Sequence, residues 1–306
     1  MQLPRLRLPR LSFDWMPGLP GRRVVLYTLY TLVLFVVFLI ANFPHDLIVQ
    51  RALKTVDLRP FDLDLVTARF AWWRGYELRD VRLVRLGDDR TVPPLLESSS
   101  VYVRPGWGGL LRGQPDAIYI NAAMYGGDVE GSMALGNGTN RATVRLHDVE
   151  IARYRGLNAL LQDGQVQGRL SGMLTFEGRR GNPMDGQAAG ELEIKNAHTT
   201  ALKVNGITVP DLSFQAVTAK LSMNAGRIEV EEFRADGPEL KANATGQVTL
   251  RKPWPQSTLN LKANVQQGPQ ATDSVKGWLS LIPKPKGGRP DAPMTISGTI
   301  AQPRVK

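Results

Sequence analysis

The chain has no cysteine among its 306 residues. That excludes disulfides, thiolate metal sites and a cysteine nucleophile. It is compatible with an oxidising compartment without requiring one. Histidine is scarce: His45, His147 and His198 stand far apart, and none has metal-ligand spacing. Gly-x-Ser-x-Gly, a Walker loop and a true G-x-G-x-x-G are absent. The glycines Gly126, Gly127 and Gly131 precede a polar strand pattern, so they supply no helix N-terminus for a phosphate. The carboxylate pairs Asp62/Asp64 and Glu229/Glu231 alternate along strand patterns, and nothing apolar would separate their pKa values. No catalytic, cofactor-binding or metal-ligating residue is assigned, and enzyme activity is not expected.

Clustered positive charge is also missing. The net charge is +10, from 38 basic and 28 acidic residues, but the excess is spread along the chain. The densest stretch holds Trp72, Trp73, Arg74, Arg79, Arg82, Arg85 and Arg90, interrupted by Glu77, Asp80, Asp88 and Asp89. It reads as a solvated strand face rather than a nucleic-acid surface. Contact of a basic face with anionic head groups is the weaker alternative.

One stretch lacks charge altogether. Residues 24–43 read VVLYTLYTLVLFVVFLIANF. At about 1.5 Å per residue they match the ~30 Å hydrocarbon layer of a bilayer. Thr28 and Thr31 are tolerable there because a helical threonine can bond its own backbone. Arg5, Arg7, Arg10, Arg22 and Arg23 precede the span against only Asp14, which places the N-terminus in the cytoplasm. The apolar run is longer than a signal-peptide core and ends without an A-x-A-like site, so an uncleaved anchor is expected.

The organisation that follows is a cytoplasmic tail over 1–23 and a transmembrane helix over 24–43. A juxtamembrane helix and connector cover 44–60, and a β domain covers 61–306. Leu47, Ile48, Ala52, Leu53 and Val56 have helical spacing; a helix at the membrane face and a helix capping the domain fit equally. From Phe61 the period changes to two, as in Phe61-Asp-Leu63-Asp-Leu65, Ile118-Tyr-Ile120 and Leu259-Asn-Leu261. Alternation with polar partners predicts antiparallel strands wet on one face. Short helices are predicted around Ile151–Leu161 and around Val275, Leu279 and Ile282. The expected class is mainly β: an elongated, curved, mostly antiparallel sheet shaped like a groove, with few helices.

A weak repeat, Gly-x-apolar-x-apolar, opens strand patterns at Gly131, Gly172, Gly190 and Gly246, with a truncated copy at Gly298. The spacings are irregular, so no strict solenoid is implied. Glycine at such places is expected to mark a bulge or bend.

IYINAAMYGGDVEGSMAL (118–135), an alternating strand followed by the turn Tyr125-Gly126-Gly127, resembles an element of bacterial type II secretion protein N and of AsmA-like periplasmic proteins. VRLHDVEIARYRGLNALLQDGQVQGRLSGMLTFEG (144–178) is similar to the segment that follows it there. FRADGPELKANATGQVTL (233–250) and ISGTIAQPRVK (296–306) resemble closing strands of that group. The resemblance implies a single-pass inner-membrane protein with its C-terminal domain in the periplasm. It implies a non-enzymatic accessory role in the type II secretion pathway, with other secretion-system envelope proteins as partners. It also implies kinship with groove-forming lipid-transfer proteins, and carries no catalytic motif.

Two non-enzymatic functions therefore stand together. A structural subunit would engage partners through its sheet edges. A lipid carrier or bridge would hold phospholipid acyl chains on an apolar face, with Ile118, Ile120, Met133, Leu135, Leu174 and Phe176 lining the groove. Tyr125, Gly126, Gly127 and Gly131 are expected to form a structural turn motif.

Overall fold

A computed structural model describes residues 22–42, 61–71, 74–85, 94–106, 117–135, 139–154, 157, 164–179, 185–204, 207–251, 256–281, 293–300 and 302–305. The chain divides into two compact units, residues 1–48 and 49–306. The expected tail up to residue 21, and the juxtamembrane helix and connector, lie outside the described residues; Arg22 and Arg23, expected in the tail, open the first helix.

In the first unit, α1 runs Arg22–Ala41, 20 residues. Its aliphatic and aromatic side chains favour helix through packing only where something covers them, and here they are exposed from Val24 to Leu39. Thr28 Oγ1 donates to the carbonyl of Val24 at 2.8 Å, satisfying its hydroxyl within the helix as a helical threonine can. The described side chains, 24–39, cover about 24 Å of helix axis. Among the described residues no helix is long and apolar enough to cross a membrane.

The second unit is an open antiparallel sheet. Its strands are β1 (Phe61–Asp64), β2 (Thr67–Phe70), β3 (Tyr76–Arg85), β4 (Leu96–Pro105), β5 (Ala117–Met124), β6 (Gly127–Leu135), β7 (Thr139–Glu150), β8 (Gln165–Arg179) and β9 (Gln187–Thr200). After a small hairpin of β10 (Lys203–Val204) and β11 (Ile207–Thr208) come β12 (Leu212–Asn224), β13 (Arg227–Asp236), β14 (Leu240–Thr249) and β15 (Thr258–Gln267). Helix α2 (Asp273–Leu281) precedes β16 (Met294–Thr299) and β17 (Pro303–Val305). The large sheet has 15 strands paired in sequence order, with β1 and β2 sharing one edge of β3 and β10–β11 set apart. Up-and-down order follows from the short turns, since a tight turn can join only antiparallel neighbours.

Turn chemistry sets the register. At Met124–Gly127 the central residues Tyr125 and Gly126 have φ of 50° and 79°. At Asn224–Arg227, Ala225 and Gly226 have φ of 48° and 75°. Positive φ at both central positions makes the two-residue turn whose twist suits a hairpin. The helix expected near Ile151–Leu161 begins as a 3-10 turn, Ile151–Arg153; residues 158–163 lie outside the described set. The second expected helix is α2.

Directly paired residues share a face, so the registers can be followed across the sheet. One row runs Ala68, Leu78, Val101, Ala122, Val129, Leu146, Gly172, Leu192, Ala219, Phe233, Ala244, Ala263 and Met294. It contains no polar side chain. At roughly 4.8 Å per strand it extends about 55–60 Å. A parallel row through Val103, Ile120, Gly131, Val144, Leu174 and Gly190 continues as Leu221, Val230, Gly246, Leu261 and Ile296. The other face carries rows such as Arg104, Tyr119, Ser132, Thr143 and Thr175.

An antiparallel sheet with one apolar face ordinarily buries it under a second layer. Here α2 supplies such cover at one place. Val275, fully buried, packs with Val209, Leu212 and Leu240, and Trp278, Leu279, Val265 and Phe214 surround them. Val275 and Leu279 fall one helical turn apart, so one side of α2 meets the sheet, while Lys276 and Gly277 are exposed.

Candidate functional site

The apolar face is the feature that sets this sheet apart. Ile118 on β5 pairs with Met133 on β6, Met133 with Ala142 on β7, and Ala142 with Phe176 on β8. Ile120 pairs with Gly131, Gly131 with Val144, and Val144 with Leu174. The structure thus brings five of the six expected lining residues to one face of four adjacent strands. The backbone of the sixth, Leu135, pairs with Asn140, and its side chain lies outside the described set.

These residues do not form a closed core. Ile120 is 39% exposed, and Met133 and Leu174 are each 38% exposed. Ile118 and Phe176 are half-buried. Large apolar side chains left this open in a contiguous row are unusual for a surface that meets only water. The remaining members, among them Leu221, Val230, Leu261 and Ile296, escape a reading of separate strand patterns. Their alternation is visible in sequence, but their alignment depends on register.

Gly131 does not belong to the turn. It lies within β6 opposite Ile120, whose Cβ would be 3.4 Å from a methyl group built at residue 131. The Gly-x-apolar-x-apolar repeat acquires a physical reason here. Gly131, Gly172, Gly190, Gly246 and Gly298 all sit in the apolar rows, beside larger neighbours. At Gly190 a Cβ would meet Leu174 Cδ2 at 2.4 Å, so the glycine leaves room for Leu174 to lie across it. Only Gly246 (φ 142°) and Gly298 (φ 101°) of these five need a backbone that favours glycine. The expected bulge role holds at Gly246, whose partner strand slips register between Val230 and Phe233. It does not hold at Gly172 and Gly190, where space, not backbone shape, is what glycine provides, nor at Gly131, where an added Cβ would make only ordinary contact.

The Tyr125-Gly126-Gly127 turn is structural. The backbone N–H of Glu97 donates to Tyr125 Oη at 2.9 Å. The Tyr125 ring stands edge-on to Tyr154, with centroids 5.7 Å apart, and Glu150 N–H donates to the Tyr125 carbonyl at 3.0 Å. These contacts hold a non-glycine residue at positive φ. Burial pushes the Tyr125 hydroxyl pKa upward. A Cβ on Gly127 would lie 2.3 Å from the His147 carbonyl oxygen, so only glycine permits this approach of β6 to β7.

The opposite face is polar and carries its own relief. One depression of about 810 Å³ lies over β4–β7, lined by Arg74, Tyr102, Arg104, Tyr119, Asp128 and Glu130 among others. Others, of about 850 Å³ and 600 Å³, lie over β7–β14 and β7–β13. Cross-strand ion pairs decorate this face, including Arg141–Glu177 at 2.8 Å and Lys220–Glu191 at 3.7 Å. All are exposed and contribute little to stability. Arg79 and Arg82 on β3 both pair with carboxylates, as a solvated strand would.

The histidines do not converge. His147 is exposed on β7. His198 on β9 lies 3.0 Å from Ser213 Oγ through Nδ1. His45 lies outside the described residues. Among the described residues no group of His, Asp and Glu could hold a metal ion. Among the described residues the apolar rows carry no nucleophile, acid or base; their chemistry is non-directional contact with apolar surface.

Comparison of the chain with protein-family models, with curated proteins and with solved structures finds no match.

Proposed function

We propose that this is a membrane-anchored, non-enzymatic protein of the bacterial envelope that holds phospholipid acyl chains on the apolar face of its sheet. The observation that carries the reading is the apolar face: its row from Ala68 to Met294 is unbroken by a polar side chain, and in the neighbouring rows Ile120, Met133 and Leu174 are still partly exposed. Acyl chains need no hydrogen bonds, and such a face has none to give. Each methylene fully removed from water is worth about 0.8 kcal/mol, so a chain half covered along its length gains several kcal/mol. A row about 55–60 Å long exceeds one acyl chain more than twofold, which suits passage of successive lipids along a curved groove better than capture of one.

The 20-residue helix α1 is the proposed anchor, since its backbone alone covers about 30 Å. The arginines that precede it favour a cytoplasmic N-terminus and a periplasmic sheet in the inner membrane. An accessory role in type II secretion is the second reading. It is favoured by the edges of the sheet at β1/β2 and β17, which no strand among the described residues covers and where a partner strand could pair.

The test is site-specific photocrosslinking in the full-length protein in native membranes. A photoreactive residue at Ile120 or Leu174 should label phospholipid. The same residue at Thr175, one step along β8 on the opposite face, should not. Equal labelling from both faces, or labelling of protein alone from Ile120 and Leu174, would sink the lipid reading.

A further inference from the structure

We propose that the depression over β4–β7 on the polar face is a phosphate-binding site, with Arg74 and Arg104 as its ligands. The guanidinium of Arg104 lies 4.9 Å from the centroid of the Tyr119 ring, and that of Arg74 lies 6.0 Å from the centroid of Tyr102. Both arginines and both tyrosines line the same depression of about 810 Å³. Arg104 and Tyr119 are direct cross-strand partners, and Tyr102 is two positions from Arg104 on β4. The two cation–ring pairs are therefore neighbours on one face.

Charge complementarity argues for an anion. Arg79, Arg82 and Arg141 on the same sheet each have a carboxylate within ion-pair reach. Among the described residues, Arg74 and Arg104 have none, and each contacts an aromatic ring instead. A guanidinium held by a ring keeps its in-plane N–H groups free, and that planar fork fits two oxygens of one phosphate. Asp128 and Glu130 line the depression from β6. Glu130 stands opposite Arg145 of β7, which offsets part of that charge, so the guanidiniums without a carboxylate beside them on β6 are those on the side formed by β4 and β5. The phosphate could come from a lipid head group or from a soluble phosphate ester, and the shared chemistry is the phosphate itself. This site lies on the face opposite the acyl-binding rows, so either proposal can fail without the other.

The test uses the full-length protein in a phosphate-free sugar detergent. Phosphatidylglycerol in mixed micelles and soluble glycerol 3-phosphate are titrated separately by calorimetry. Binding of the micellar lipid alone that depends on Arg74 and Arg104 identifies a head-group site, and equal binding of glycerol 3-phosphate identifies a soluble one; both outcomes support the proposal, whereas lipid binding indifferent to both arginines belongs to the apolar face and overturns it. Arg74→Gln and Arg104→Gln should each weaken binding roughly tenfold, as loss of a charge-assisted hydrogen bond does. Arg104→Lys, which keeps the charge but not the fork, should recover only part of it. Arg227→Gln, exposed elsewhere on this face, should leave affinity unchanged. No binding of either probe overturns the proposal. So does an equal loss in Arg227→Gln, because the effect would then be net charge alone.

Discussion

Leu174→Ala tests whether the apolar face is open. The substitution removes three carbons from a side chain that is 38% exposed. At about 0.8 kcal/mol per fully buried CH2, and with roughly three fifths of the burial in place, the loss is about 1.5 kcal/mol. No cavity cost adds to it, because solvent fills the gap. Val275→Ala is the internal standard. It removes only two carbons, but from a side chain with no exposure beneath α2. Transfer and cavity costs together give about 2.5 kcal/mol. The smaller truncation should thus cost more than the larger one. Urea unfolding of the full-length protein in mild detergent, followed by far-ultraviolet circular dichroism, measures both. A Leu174→Ala cost of about 3 kcal/mol or more, typical of a closed core, would refute the open face and every functional reading built on it.

Four further outcomes follow from local geometry. Gly127→Ala should destabilise by about 2 kcal/mol, because its methyl would collide with the backbone of β7. Gly131→Ala should be nearly neutral in the same denaturation assay, since it meets only ordinary contact with Ile120. Gly277→Ala should stabilise α2 by about 0.5–1 kcal/mol, because the position is mid-helix with no atom within 4 Å of a new Cβ; slower amide exchange in α2 would register it. Tyr125→Phe should cost about 1 kcal/mol by leaving the Glu97 N–H without its acceptor. Burial raises the Tyr125 pKa above 10.0, so the fold favours the neutral phenol. That contribution is complete below pH 10 and is lost as pH rises through the raised value, because the unfolded chain gives up its proton first. Stability of the wild type should therefore fall more steeply above pH 10 than that of Tyr125→Phe; parallel curves would contradict the assignment.

Much of this protein is legible from its residues in order. A period of two from Phe61 onward, with polar partners and short turns, requires half-wet antiparallel strands. An uncharged stretch after five arginines marks α1 to within two residues at either end. Ile118, Ile120, Met133, Leu174 and Phe176 share a face because alternation along a strand is a local property. Tyr125 and Gly126 form a turn for the same reason.

What the tertiary structure decided is register, and register is not local. Whether Leu174 stands beside Gly190 or beside Glu191 depends on hydrogen bonds between residues far apart in sequence, and a slip of one residue would turn either strand over. Only the observed pairing joins separate alternating strands into unbroken apolar rows. It also explains the scattered glycines as room for neighbours, and sets Tyr102 beside Tyr119 with an arginine over each ring. Local patterning thus determined that one face of the sheet is apolar. The pairing decided that the face is continuous, and the placement of α2 against Leu212, Leu240 and Val265 decided where it is covered.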